Sequence, residues 1–321
     1  MRGTGTATAT ARSARARPPR RRPAPPRPAT TRASGAAARP RPPATGRTSA
    51  AATPSTRGTG TATATARSAS ERIRDTAAVT RVARLLLTPV KSLRLVERTS
   101  VAIGSHGVEG DRAFFLLGVD GSSLRGPRRL PLCRMTADWA DGVLSIALPD
   151  GRVVADRPEP GEALRARWDM DLEVDAELVA GPWAAALSEA CGEPIRLARV
   201  AGERGGWSGF PVSVIGGPSI DALGLGPIDP RRFRMLVETA GGAPFQEDGW
   251  IGREVRIGDA VVRVEEACAR CAVTTVDPET GERDTDALRA MVAAKGAADL
   301  GVYASVVEPG TVRVGDPVAP A

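Results

Sequence analysis

The sequence predicts a mostly β protein with a few short helices (α+β), and three observations carry that reading. Short runs of apolar and β-branched residues recur at regular spacing, separated by turn signals such as Asp120-Gly121 and Asp150-Gly151. The stretch Glu254-Val-Arg-Ile-Gly-Asp259 returns as Thr311-Val-Arg-Val-Gly-Asp316, and two similar hairpin corners imply a closed or strongly curved barrel. No long helical patterns alternate with the strands, which argues against a doubly wound sheet.

The elements follow in order. Val82–Leu87 reads as a strand that ends at Thr88-Pro89. Ser100–Ile103, Ala113–Val119, Gly142–Leu148 and Val153–Ala155 read as further strands, the last two joined by the turn at Asp150-Gly151. Gly181-Pro182-Trp183 opens a helix with Pro at its first position, and Gly192 closes it. Pro218–Leu223 is a short helix stopped by Gly224. Strands return at Arg234–Glu238, Glu254–Ile257 and Val261–Val264. Asp284 or Thr285 caps a helix that runs to Lys295 and ends at Gly296. Val302–Val307 and Val312–Val314 complete the sheet.

Composition limits the partners. The chain carries 44 Lys+Arg against 37 Asp+Glu, which looks like a nucleic-acid binder. Residues 1–70 hold 14 of those Arg and no acid, so removing them leaves 30 bases against 37 acids, net −7. The basic character therefore belongs to a tail, and no nucleic-acid partner is expected. Residues 1–70 have no Leu, Ile, Val or aromatic residue and cannot offset their ordering entropy, so the tail is expected to be disordered, over residues 1–78. Its segment RGTGTATATARSA occurs at 2–14 and again at 57–69, as duplicated DNA, an early start codon or a basic arm would produce. It lacks the apolar stripe of a presequence and the apolar core of a secretory signal. No apolar run is long enough to span a membrane, and four Cys make no disulfide framework, so a cytoplasmic location is expected. One histidine, His106, excludes sites with several His ligands.

The strongest chemical signal is Glu266-Ala-Cys268-Ala-Arg270-Cys271-Ala-Val-Thr274-Thr275-Val-Asp277. A structural zinc site would need four ligands, and Cys133, Cys191 and His106 stand apart from the pair. A thioredoxin-like dithiol would open a helix in a βαβ unit, whereas this pair follows a hairpin and precedes a Thr/Val strand. What remains is one soft thiolate, favoured by Arg270 beside Cys271, or two packed cysteines. Lys91-Ser92 at a strand end offers a point charge and a hydroxyl for an anion. Gly110-Asp111-Arg112 and Arg231-Arg232-Phe233-Arg234 add further cations, and Phe245-Gln-Glu247-Asp248-Gly-Trp250 adds acids.

In this order the clusters resemble the MOSC superfamily, in the subgroup with an N-terminal β-barrel domain. Val90-Lys91-Ser92-Leu93 and Gly110-Asp111-Arg112 resemble the N-terminal domain. Pro211–Ser219, Arg232-Phe233-Arg234, Glu247-Asp248-x-Trp250, Cys268-x-x-Cys271-x-x-Thr274-x-Val276-Asp277 and Gly310-x-x-x-x-Gly315-Asp316 resemble the MOSC domain. The resemblance implies an N-terminal β-barrel-like domain over 79–180 and a MOSC β-barrel domain over 181–321. It also implies a molybdenum cofactor whose metal is ligated by Cys271, with Lys91, Ser92, Arg112 and Arg234 against the anionic pterin. Two departures stand out. Met235-Leu236 replaces the family's Pro-Asn after Arg234, and Trp207-Ser208-Gly209-Phe210 leaves Ser208 as the lone hydroxyl of a usually polar stretch.

The implied activity is that of an oxidoreductase removing oxygen, as water, from a small N-hydroxylated or N-oxide substrate. Glu247 and Asp248 are the nearby acids, and the simpler reading of both is a carboxylate capping a turn. No iron–sulfur or flavin motif is present, so an external electron donor of ferredoxin, flavoprotein or cytochrome b5 type is expected. The rival readings are a sulfur carrier with a Cys271 persulfide and a non-catalytic cofactor carrier.

Overall fold

A computed structural model describes residues 79–124, 130–169, 172–202 and 205–321. The expected disordered tail, and its repeat, lie outside the described residues. Strand β1 (Arg81–Leu87) is followed by β2 (Val96–Arg98), β3 (Ser100–Gly104), β4 (Gly107–Val108) and β5 (Phe114–Leu117). A helical turn α1 (Leu130–Cys133) leads to β6 (Thr136–Ala140), β7 (Val143–Ala147) and β8 (Val153–Asp156), then to the long hairpin β9 (Glu159–Asp169) and β10 (Leu172–Ala180). Helix α2 (Trp183–Cys191), β11 (Arg196–Val200), β12 (Val212–Gly216), helix α3 (Gly217–Asp221) and β13 (Val237–Ala240) come next. The chain ends with β14 (Glu254–Ile257), β15 (Ala260–Ala269), helix α4 (Ala287–Lys295), β16 (Asp299–Glu308), β17 (Gly310–Arg313) and β18 (Val318–Pro320). Strands dominate and helices are few, as the sequence predicts.

An eight-stranded sheet runs in the order β18-β14-β15-β16-β12-β13-β1-β2. It curls until the β18 end meets the start of β1 at one corner. Val82 N–H donates to Asp316 O at 2.9 Å, and Val318 N–H donates to Thr80 O at 2.9 Å. The join is a bridge at Arg81 and Pro317, so the sheet is strongly curved and does not close along a full ladder. Inside the curl, Leu85, Val212, Val255, Val264, Val302 and Val312 form one apolar core. β5, β11, β10 and β9 make a separate four-stranded sheet, and β6, β7 and β8 a three-stranded one. Trp183 closes a second core with Phe114, Leu132, Ile146 and Leu187, and its indole N–H donates to Leu144 O at 3.1 Å. Burying the ring and satisfying its donor together justify a Trp there.

A third apolar cluster lies elsewhere against the same sheet. It contains Ile215, Phe233, Met235, Cys268, Met291 and Leu300, with Tyr303 packed on it. Along β16, Leu300 and Tyr303 belong to this cluster, whereas Val302 and Ala304 belong to the core of the curl. The switch of face occurs at Gly301, whose φ of +75° breaks the alternation of an ordinary strand. A side chain there would sit 2.7 Å from Val214 O, so glycine is required on both counts.

Several local expectations need correction. Arg234 begins no strand; it closes a 3-10 turn over Pro230–Phe233 with a left-handed backbone, and β13 starts at Val237. Pro182 occupies the N-cap of α2, and Trp183 is its first residue. Asp286 occupies the N-cap of α4, because the Asp284 carboxylate is engaged by Arg232 at 2.9 and 3.0 Å. The Thr/Val segment after the cysteine pair is a 3-10 turn, Ala272–Thr275, and β15 runs on past Val264 to Ala269.

Candidate functional site

The expected site residues come from chain segments far apart in sequence. Lys91 and Ser92 follow β1, and Arg112 sits in the loop between β4 and β5. Arg234 precedes β13, Ser208 precedes β12, and Cys271 follows β15. Hydrogen bonds join most of these segments. The Arg112 guanidinium donates to Arg234 O at 2.9 Å, and the Arg234 guanidinium donates to Leu93 O at 2.9 Å. Lys91 Nζ lies 3.7 Å from the centroid of the Trp168 ring, a cation–π contact. Gly206 N–H donates to Arg112 O at 2.9 Å. Contacts therefore run from Lys91 through Trp168, Gly206 and Arg112 to Arg234.

Gly206 is needed for that chain of contacts. A Cβ on it would lie 2.4 Å from Arg112 O and 2.9 Å from the Trp168 ring. Gly206→Ala is therefore expected to push the Arg112 loop outward, with an overpacking cost of about 1–3 kcal/mol. Urea denaturation checks this, and an unchanged midpoint would show that the loop yields freely.

Backbone strain marks the same positions. Among the described residues only five non-glycine residues have positive φ, and Ser92 (82°), Arg112 (51°) and Arg234 (54°) are three of them. Holding L-residues in the left-handed region costs on the order of 1–2 kcal/mol each, and such strain concentrates at functional sites. Sequence spacing carries no sign of this, because none of the three is a residue type that signals left-handed backbone.

Charge is concentrated here too. Arg112 pairs with Asp111, whose other oxygen accepts from Thr88 N–H at 3.1 Å. Burial, and then the like charge of Arg112, push the Arg234 guanidinium down to about 10. Arg270 adds to the same field. Asp111 pairs directly with Arg112, while Arg112 and Arg270 both bear on Arg234 as like charges. Among the described residues, the buried Arg270 Nε–H has no acceptor. This cluster of like charges fits an anionic ligand rich in acceptors.

The two cysteines differ. Cys271 is exposed, and its carbonyl accepts from Thr274 N–H at 3.1 Å and Thr274 Oγ1 at 3.0 Å, which fixes the turn that presents the thiol. Cys268 is buried. The expected partnership of Arg270 with Cys271 is corrected: Arg270 donates to Cys268 Sγ at 2.6 Å, because its side chain turns inward from the end of β15. Tyr303, which the sequence reading passed over, hydrogen-bonds with Cys268. Burial and that contact push its hydroxyl well above the usual tyrosine value. It is the chain's only Tyr, and that rarity was the available signal.

Ser92 Oγ donates to Leu124 O at 2.7 Å, so its hydroxyl proton is already engaged. Ser92 and Arg234 line one small cavity together with Cys133 and Val273 of the Cys271 turn. Arg232, almost fully buried, pins that turn by donating to Thr274 O at 3.3 Å and to Asp284. Ser208 is exposed, and the neighbouring Gly209 packs on the Tyr303 ring. Glu247 and Asp248 take no part. Glu247 accepts from Gly216 N–H and Ser219 Oγ, and Asp248 pairs with Lys295 at 2.7 Å. Among the described residues no three His, Cys, Asp or Glu side chains group as a metal-binding cluster, and no helix is long and apolar enough to cross a membrane.

Comparison with known proteins adds a family dimension. Residues 211–319 match the model of the MOSC domain, and residues 79–173 match the MOSC N-terminal beta barrel domain. The chain is 27% identical over 264 residues to a molybdenum cofactor sulfurase of Anopheles gambiae, covering 65% of this chain and 32% of that protein. It is 36% identical over 98 residues to mitochondrial amidoxime-reducing component 1 of Mus musculus, covering 27% of this chain and 28% of the relative. With mitochondrial amidoxime reducing component 2 of Homo sapiens it shares 38% over 98 residues, 27% of this chain and 29% of the relative. The chain thus spans about a third of the length of these relatives, or less.

Proposed function

The chain belongs to the MOSC superfamily, in the subgroup that carries an N-terminal MOSC β-barrel domain, and from that premise we propose that it binds the molybdenum cofactor through the Cys271 thiolate and reduces N-hydroxylated or N-oxide compounds. One observation supports this most: the strained Ser92, Arg112 and Arg234 sit beside surplus positive charge, on segments tied to the turn that exposes Cys271. Strain and like-charge crowding both cost stability, and an anionic ligand would offset them.

The chain's own residues would act as follows. Cys271, soft and exposed on a hydrogen-bonded turn, would ligate the metal as its thiolate. Arg112 and Arg234 would balance the anionic pterin, with Lys91 further out and Ser92 lining the cavity beneath. Ser208 would stand at the rim. When bound, the cofactor would supply two-electron redox chemistry; oxygen then leaves the substrate as water, consuming two electrons and two protons. Glu247 and Asp248 are engaged elsewhere, so solvent at the exposed Cys271 face would deliver the protons. Electrons would come from a separate protein of ferredoxin, flavoprotein or cytochrome b5 type. The proposed setting is the cytoplasm, with no nucleic-acid or membrane partner.

Molybdenum analysis of protein from a molybdate-fed host tests the reading. Near-stoichiometric metal in the wild type and loss of at least tenfold in Cys271→Ala are expected. Metal that is absent, or unchanged in the variant, refutes thiolate ligation. Amidoxime reduction with an artificial reductant then separates an enzyme from a passive carrier. The exposure of Cys271 also favours a second reading, in which it carries a persulfide received from another protein. Mass analysis showing a stable added sulfur on Cys271, without molybdenum, would select that one.

A further inference from the structure

Arg270 lies next to the proposed ligand yet faces away from it. Its guanidinium donates to Cys268 Sγ at 2.6 Å, to Met235 Sδ at 3.2 Å and to Phe233 O, and it lies 6.0 Å from the centre of the Phe233 ring. Its backbone N–H donates to Ala298 O at 2.8 Å. Two of its three side-chain acceptors belong to the segment that carries Arg234, and the third belongs to β15, whose end leads into Cys271. One side chain thus joins the two halves of the proposed site.

We infer that Arg270 is a positioning residue, a clamp that fixes the Cys271 turn against the Arg234 segment by gripping two sulfurs and a carbonyl. The inference rests on the cofactor reading only for its consequence in cofactor retention; the clamp is defined by geometry alone. A planar fork with five donors suits three acceptors at different heights, which an ammonium on a flexible stem could not match. Met235 supplies one of the acceptors: its thioether is both apolar enough for the buried site and able to accept.

The test labels thiols in the full chain with a maleimide and maps the sites by peptide mass. In wild type prepared without molybdenum, exposed Cys271 should react fast and buried Cys268 slowly. Arg270→Met, which keeps an unbranched stem but removes the fork, should raise the Cys268 rate at least tenfold. Met235→Leu, which keeps volume but removes the acceptor, should raise it about threefold. Cys191, at the end of α2, reports global unfolding, and its rate should stay unchanged. Arg270→Lys should label like Arg270→Met; if it labels like the wild type, charge suffices and the clamp is wrong. Unchanged Cys268 labelling in both Arg270→Met and Met235→Leu also overturns it. Should Arg270→Met unfold, Met235→Leu alone decides. In the molybdenum-loaded protein, Arg270→Met should shed metal several-fold faster on dialysis. If the wild type holds no molybdenum, the cofactor reading fails, and the labelling contrast still judges the clamp.

Discussion

Glu247→Ala is expected to lower stability by about 3 kcal/mol and to leave turnover per folded molecule unchanged. The carboxylate is 1% exposed and satisfies two donors, Gly216 N–H at 3.1 Å and Ser219 Oγ at 2.9 Å. Ser219 Oγ in turn accepts Phe245 N–H at 2.8 Å, so one carboxylate joins the start of α3 to the turn Gln246–Trp250. Removing it orphans two buried donors, each costing roughly 1–3 kcal/mol. For a domain of this size that corresponds to a fall in Tm of about 6–12 °C. Glu247→Gln keeps one acceptor but turns an amide N–H₂ toward the other donor, so an intermediate loss is expected. In a double-mutant cycle with Ser219→Ala the losses should fall short of additive, because both variants empty the same network. Thermal melts and an activity assay at matched folded concentration check this. A full loss of turnover with an unmoved Tm would instead put Glu247 in the chemistry.

That network shows which parts of the molecule could be read in advance. Turn chemistry is local, so Asp150-Gly151, Gly192 and Gly296 mark their corners or helix ends correctly. Glu247 reads more simply as a cap than as an acid, but the partners it caps lie 28 and 31 residues away and could not be named from the sequence. The hairpin of β9 and β10 went unread although Leu164-Arg165-Ala166-Arg167-Trp168 alternates as a strand should. Charged residues on its outer face masked the pattern. The candidate site was legible as an ordered set of residue types. Its defining features, the left-handed Ser92, Arg112 and Arg234, the inward turn of Arg270 and the partnership of Tyr303 with Cys268, arise from long-range contacts that no spacing encodes. β15 is irregular near its end, with register shifts between Val264 and Glu266 and again between Ala267 and Ala269. Those shifts decide which cysteine is buried.

Arg234→Met is expected to make the protein more stable while abolishing molybdenum retention, the sign of a residue kept for binding. Burial and the neighbouring Arg112 hold the guanidinium down to about 10, against an ordinary 12.5. A depression of that size corresponds to about 3 kcal/mol of penalty on the charged form. Some solvent reaches the residue, so that figure is an upper bound. Losing the bond to Leu93 O gives back about 1 kcal/mol, which leaves a net gain of roughly 1–2 kcal/mol. Arg234→Gly should gain about 1 kcal/mol more, because glycine adopts φ of +54° without strain, less whatever packing the lost stem supplied. The pH dependence has a definite sign. A base whose folded pKa is depressed destabilises the fold fully below that pKa, and the penalty is relieved only as pH rises through about 10 toward 12.5. Between pH 5 and about 8 the denaturation midpoints of wild type and Arg234→Met should therefore run parallel, with the variant higher throughout. Metal analysis of the same preparations should show at least a tenfold drop in bound molybdenum. A variant that is less stable and still holds its metal would mean that Arg234 serves the fold, and the positive charge gathered around Arg234 would need a different explanation.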